Sequence, residues 1–437
     1  MRRRQFLGTL ALASAAAGAC RDGNSSTPAE VTPPDVPSTD RWGQFRSGFA
    51  LNPDHVHMSA LFVASHPREV REAIDRFRAE IDADPVLALQ QNNRPRQQAA
   101  REAAARYLGV EADDIALTDS TTMGLGLIYN GLRFQPGDEV LTTEGNYYVT
   151  HEAVRQASAR YGATTRQMPF GEEVRLLSAD ALVERLSREI GPRTRVLALT
   201  WVHSSTGLKL PLDPIGRMVE AINASRPDDQ QVLLAVDGVH GFGVEDIRLS
   251  DLKLDFFAAG CHKWLFGPRG TGILWASTRG WASTRPLIPS FVDDGAWAAW
   301  KNGEALKGET TADRMMPGGF KAFEHQWAMP AAFEMHERLG RADIQARTHA
   351  LASQIKEGLG GMSNVRLVTP TDERLSAGIV SFDIGGLPPD DAARRLRERG
   401  VIATVTPYAV RHVRLTPSIV NTSEEADRAL AAIRDLS

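Results

Sequence analysis

From Pro67 onward the chain alternates helical hydrophobic spacing with short apolar runs. Val70, Ile74, Phe77 and Ile81 recur three to four residues apart, which predicts a helix over Glu69 to Glu80. The Ala-rich stretch Arg96 to Leu108 predicts another. Apolar runs at Ile115–Leu117, Glu139–Leu141, Val196–Leu199, Val232–Val236, Phe256–Ala259 and Gly272–Trp275 read as strands, with Val232–Val236 the clearest buried one. Strands separated by helices need crossover connections. That predicts an α/β fold with a mostly parallel sheet covered by helices.

The same alternation returns on a smaller scale near the end. Gly378–Phe382 and Val413–Leu415 read as strands and Asp390–Arg399 as a helix. Thr422 with Glu425 forms a capping box for a last amphipathic helix, Glu425 to Leu436. We therefore expect a large domain over residues 41–317 and a small C-terminal α/β domain over 318–437. Trp297 to Pro317 has many polar residues and no period, so it is expected to be an irregular connection lining a cleft.

The first 20 residues break the pattern. Arg2, Arg3 and Arg4 precede a mild apolar stretch, and Arg3-Arg4-Gln5-Phe6-Leu7 matches the twin-arginine export motif rather than an ordinary secretory signal. Export to the periplasm by the twin-arginine machinery is therefore expected. Ala17-Gly18-Ala19 offers a cleavage site, and Cys20 directly after it is placed for a lipid anchor. Residues 21–40, rich in Pro, Ser and Thr, read as a flexible tether.

Composition narrows the function. The 437 residues carry 50 Lys+Arg against 54 Asp+Glu, so no electrostatic footprint for nucleic acid is expected. The two cysteines exclude a disulfide scaffold and a Cys-based metal centre, and no metal site is expected.

In open α/β sheets ligands sit beyond the carboxyl ends of strands. The residues at those ends are polar and Gly-rich in this chain: Thr118-Asp119-Ser120-Thr121-Thr122, Thr200-Trp201-Val202-His203-Ser204, Asp237-Gly238-Val239-His240 and Gly260-Cys261-His262-Lys263. Singly these are caps and turns. Together they meet one chemical need. A buried Asp can hold a pyridine nitrogen protonated, a Lys can condense with an aldehyde, and hydroxyls at a helix N-terminus can hold a phosphate. That set describes pyridoxal 5'-phosphate.

The segments Ala235-Val236-Asp237-Gly238-Val239-His240, Asp255 to Lys263 and Gly267-Pro268-Arg269-Gly270-Thr271-Gly272 resemble the class V aminotransferase-type pyridoxal-phosphate enzymes. The resemblance covers nearly all of the chain after the tether. It implies a fold with a seven-stranded, mostly parallel sheet. Lys263 is then the Schiff-base lysine and Asp237 the pyridinium partner. Thr121 and Thr122 are the phosphate pair, His262 lies near the phosphate, and His240 lies near the ring hydroxyl. Arg414 grips the substrate carboxylate, a bidentate role suited to a planar guanidinium. His203 is expected near the ring. Many relatives stack a His on the ring after the strand-end Glu, but here Glu144 is followed by Gly145-Asn146-Tyr147-Tyr148. The sequence does not choose the stacking tyrosine; we assign Tyr147 to cofactor contact and Tyr148 to proton transfer. His151 is expected to be structural. Gly318-Gly319-Phe320 matches the loop that reaches a partner subunit's phosphate, and the resemblance implies a homodimer.

An amino-acid substrate is implied, with Lys263 as the base at Cα. Transamination, epimerisation and β- or γ-elimination all remain open. Asp-Gly-x-His and the Gly318 to Glu324 segment lean toward the isopenicillin N epimerase-like group. Cysteine desulfurase chemistry is disfavoured, because no mobile Cys stands in the C-terminal half. The rival from another class is an exported non-catalytic binding protein. Intact Asp237, Lys263 and Arg414 weigh against it, since each is costly to bury without use.

Overall fold

The computed structural model describes residues 41–170 and 174–436. The expected leader, tether and Cys20 lie outside them. The strands in chain order are β1 (Val56–His57), β2 (Ile115–Thr118), β3 (Glu139–Thr143), β4 (Thr164–Met168), β5 (Thr194–Thr200), β6 (Leu233–Asp237), β7 (Phe256–Gly260), β8 (Gly272–Ala276), β9 (Val365–Leu367), β10 (Val380–Ile384), β11 (Val401–Ile402), β12 (Thr404–Val405) and β13 (Val413–Leu415).

The main sheet has the order β2-β8-β7-β6-β5-β3-β4. β8 runs antiparallel to both of its neighbours, and the other pairs are parallel. Every residue of β6, β7 and β8 is buried, so these strands read as continuous apolar runs. Each fully buried Val, Leu or Phe in them contributes about 1.5–3 kcal/mol through the hydrophobic effect. β4 does not appear among the expected strands. It is the sheet edge, and Thr164 to Gln167 point largely to solvent, which removes the apolar signal.

Two expectations are corrected. Residues 297–317 are not wholly irregular. A helix spans Asp294–Asn302, capped by Asp293, whose carboxylate accepts from the Ala296 amide at 3.0 Å, and closed by Gly303 at φ 68°. None of its residues is buried, so no apolar stripe marks it. The loop after it is gathered by Arg314, which donates to the carbonyls of Lys307, Gly308 and Glu309. None of this stretch borders the main cavity.

The domain boundary also moves. Helices Phe323–Trp327 and Met329–Leu339 come after Gly318, yet Ala328, Met329, Ala332 and Phe333 belong to the large core. The second core begins only with Leu351, inside the helix Arg341–Gly360. It packs that helix, the helices Pro389–Glu398 and Ser423–Arg434, and the antiparallel sheet β12-β13-β10-β9. The capping box at Thr422 and Glu425 forms. Val56 and Met58, from the other end of the chain, complete this core, and β1 pairs in parallel with β11. No helix among the described residues is long and apolar enough to cross a membrane.

Candidate active site

A cavity of about 830 Å³ opens at the carboxyl ends of β5, β6 and β7. Ser120, Thr121, Thr122, Asp237, His240, His262, Lys263 and Arg414 all border it, with Tyr147, Thr200 and Ser204. The sequence places these residues in segments far apart. The sheet register brings them together, since Thr200 pairs with Asp237 and Asp237 with Ala258.

Asp237 ends β6 and is 2% exposed. Burial pushes its carboxyl up to about 6, against the pull of the Val239 amide, which donates to Oδ1 at 3.1 Å, and of Lys263. Lys263 sits in the turn after β7. That turn is held by the Gly267 amide on the Cys261 carbonyl (2.8 Å) and the Cys261 amide on the Thr271 carbonyl (3.0 Å). Burial brings the Lys263 ammonium down to about 8, opposed by Asp237 and helped by Arg414. A neutral amine is thus accessible near neutral pH, as a nucleophile or base requires.

One wall of the cavity is the start of the helix Thr121–Gly131. Ser120 caps it, accepting from the Met123 amide at 3.1 Å. Thr121 Oγ1 accepts from the Gly260 amide at 2.7 Å. A Cβ on Gly260 would lie 2.9 Å from His262 Cε1, so the imidazole packs directly over that glycine. The free amides and hydroxyls of this first turn form an anion site.

Arg414, on β13, is 4% exposed. It donates from Nη1 to the Ser204 carbonyl (2.6 Å), from Nε to Thr404 Oγ1 (3.2 Å) and from Nη2 to the Val405 carbonyl (3.1 Å). Burial lowers it to about 10, still cationic at neutral pH. A guanidinium has five N–H donors, so two remain for a ligand carboxylate. His240 accepts from Trp264 Nε1 at 3.3 Å and is held far below its ordinary value, mainly by burial, so it is neutral.

The structure separates the tyrosines. Tyr147 borders the cavity, while Tyr148 is 63% exposed and does not. The assignment of Tyr148 to proton transfer is corrected. The helix Tyr148–Tyr161 starts there and turns that side chain outward. His203 is also displaced from its expected place. It is fully buried but faces a second cavity of about 720 Å³, beside Phe170, with ring centroids 5.0 Å apart. His151 is partly buried and borders neither cavity.

Sequence reasoning placed Thr200 and Ser204 at a strand end and Asn146 before the tyrosines without giving them a role, and missed Tyr408 altogether. Asn146 donates to Thr142 Oγ1 (2.6 Å) and the Ala198 carbonyl (2.9 Å), and accepts from Thr143 Oγ1 (2.9 Å) and the Thr200 amide (3.0 Å). It fixes the loop that carries Tyr147. The Tyr408 hydroxyl pairs with Ser204 Oγ at 2.8 Å, and its ring lies 6.0 Å from that of Tyr147. The only clue in the sequence was that an Asn precedes the tyrosine pair.

Thr200 Oγ1 and His262 Nδ1 are buried, border the cavity and lack a partner among the described residues. Two orphaned polar atoms between an anion site and a buried carboxylate fit a polar aromatic phosphate such as pyridoxal phosphate.

The chain belongs to the class V aminotransferase family, whose description "Aminotransferase class-V" matches residues 63–417. It is a pyridoxal-phosphate-dependent enzyme of that family. It is 28% identical over 414 residues to the isopenicillin N epimerase of Streptomyces clavuligerus, covering 91% of this chain and 98% of that one. It is 22% identical over 399 residues to a probable cysteine desulfurase of Vibrio cholerae, covering 86% and 92%. Among solved structures, a variant of C-DES with glycine covalently linked to its pyridoxal-phosphate cofactor superposes with a TM-score of 0.79, at 21% identity, covering 89% and 99%. The desulfurase among these relatives means that the comparisons do not support setting that chemistry aside.

In such a site Asp237 would hold the cofactor's ring nitrogen and the start of the helix at Thr121 its phosphate. Pyridoxal phosphate, when bound, draws electrons from the substrate's Cα and makes its proton acidic. Lys263, at the cavity and partly neutral near pH 8, would be the group at hand to take that proton. Arg414, with two N–H groups left over, could orient a substrate carboxylate, and neutral His240 would add no charge beside Asp237.

Proposed function

We propose that the enzyme abstracts the Cα proton of an amino acid and either returns it at Cα or passes it to the cofactor, as an epimerase or transaminase. The observation that carries this is the convergence of Lys263, Asp237 and Arg414 on one cavity. The similarity to isopenicillin N epimerases over nearly their full length supports the epimerase side. Tyr147 is the tyrosine at hand to deliver a proton. Cys261, the free cysteine among the described residues, is buried with its thiol pushed up to about 12, so it is unsuited to act as a nucleophile. A lyase is the second reading, favoured by the likeness in fold to the cystine C–S lyase C-DES.

Incubation with single amino acids in deuterated water tests the proposal. Cα exchange without keto acid indicates epimerisation. Keto acid that needs an acceptor indicates transamination. Keto acid released with ammonia, or sulfur released from cysteine or cystine, overturns both.

We further propose a homodimer. Phe291 and Phe320 are 67% and 82% exposed, with ring centroids 6.4 Å apart, and Phe62, at the cavity mouth, is 72% exposed. Apolar side chains of this size on the surface suit a second copy. Sedimentation of the purified chain checks it. Export rests on Arg3-Arg4 and is checked by fractionating cells that express the chain with both changed to Lys.

A further inference from the structure

The helix Pro389–Glu398 lays a stripe of Asp390, Ala393, Arg394 and Arg397 along the cavity wall. Positions three and four apart share one helix face, so the helix presents a charged edge to whatever enters. The charges on that edge are not equally available. Asp390 is held by Arg411, whose Nη2 donates at 2.8 Å. Arg394 is held by Asp391 at 3.0 Å and Glu398 at 2.9 Å. Arg397 borders the cavity with no side-chain hydrogen bond or ion pair to a described residue. Deeper in, Arg414 keeps two N–H groups for a substrate α-carboxylate. One guanidinium therefore remains at the mouth after the α-carboxylate is accounted for. Leu61 and Phe62 border the same cavity, and Phe62 is 72% exposed. The entrance thus combines an apolar surface with an unpaired planar cation.

We propose that Arg397 forms a second anion subsite, selecting amino acids whose side chain ends in a carboxylate carried on an apolar spacer. The spacer lies against Leu61 and Phe62, and the distal carboxylate takes the Arg397 fork in a bidentate pair. This rests on the reading of the cavity as the site of an amino-acid substrate. Arg397 is exposed, so its pair with a distal carboxylate gives at most roughly a fivefold preference, larger at low salt.

The test is spectroscopic titration of the cofactor-loaded full chain. Aspartate, glutamate and 2-aminoadipate are each compared with the neutral amino acid of equal chain length: 2-aminobutyrate, norvaline and norleucine. For at least one length, at low salt, the dicarboxylic member perturbs the cofactor band at roughly threefold to fivefold lower concentration. Arg397→Gln abolishes that preference and leaves the neutral member's affinity unchanged. Arg395→Gln, on the same helix but away from the cavity, leaves the preference intact. Equal affinities at all three lengths, or a preference that survives Arg397→Gln, overturn the subsite. If the wild-type chain takes up no cofactor, the underlying reading fails and the subsite falls with it.

Discussion

Thr121 Oγ1 accepts the amide hydrogen of Gly260 at 2.7 Å, which ties the start of the helix Thr121–Gly131 to the strand end that leads to Lys263. Together with the β2-β8-β7 ladders, this bond holds the helix start against the turn that carries Lys263. Thr121→Val leaves that buried amide without an acceptor, at a cost of about 1–3 kcal/mol. We expect a lower melting temperature and weaker cofactor binding, with Thr121→Ser restoring most of both. Thermal unfolding with and without pyridoxal phosphate measures it.

Tyr147 and Tyr148 differ in what they face, so they should differ in effect. Tyr147→Phe is expected to slow Cα hydrogen exchange by at least about tenfold, in the range set by loss of a general acid. Tyr148→Phe should stay within about twofold, because a ring open to solvent carries little. Deuterium incorporation, measured by mass spectrometry, ranks the two.

Lys263 loses its proton near pH 8 because burial disfavours the ammonium. The attacking form is the neutral amine, so cofactor uptake by the apoenzyme should quicken as pH rises through about 8 and level off above it. An unperturbed lysine would keep accelerating toward about 10.4. Stopped-flow absorbance over that range separates the two curves.

Asn146 makes four buried hydrogen bonds between the β3 end and β5. Asn146→Ala orphans several partners and should destabilise the fold by about 3 kcal/mol. Because the same loop presents Tyr147, the exchange rate should fall as well, even at temperatures where the variant is folded. Chemical denaturation combined with the exchange assay reads both.

The gathering of Asp237, Lys263 and Thr121 on one cavity was largely legible in the sequence, and for a physical reason. All three lie just beyond or at the ends of buried apolar strands, and ligands gather at those strand ends. Elements at the surface left no such trace. β4 is polar because it is an edge, and the helix Asp294–Asn302 buries nothing, so neither shows a period. His203 shows the limit inside a correctly placed loop. Thr200 and Ser204 turn toward the main cavity while His203, Ser205 and Thr206 turn to the other, and the residue order in a turn does not encode that direction. Ser204 and Asn146 work through their contacts alone, so nothing in their spacing distinguishes them from ordinary loop residues.

The pairing of β1 with β11 has a consequence for how the chain matures. Val56 and Met58 are made early, yet Leu415, Leu430 and Ile433, in the same core, are made long after them. During synthesis the small lobe must wait, with its first strand exposed, until the C-terminal helix has been made. Loss of the last dozen residues would therefore leave a hole in the small lobe and loosen residues 56–62, whose Leu61 and Phe62 flank the entrance. Synthesis of the helix Ser423–Arg434 and the firming of the cavity entrance are thus coupled.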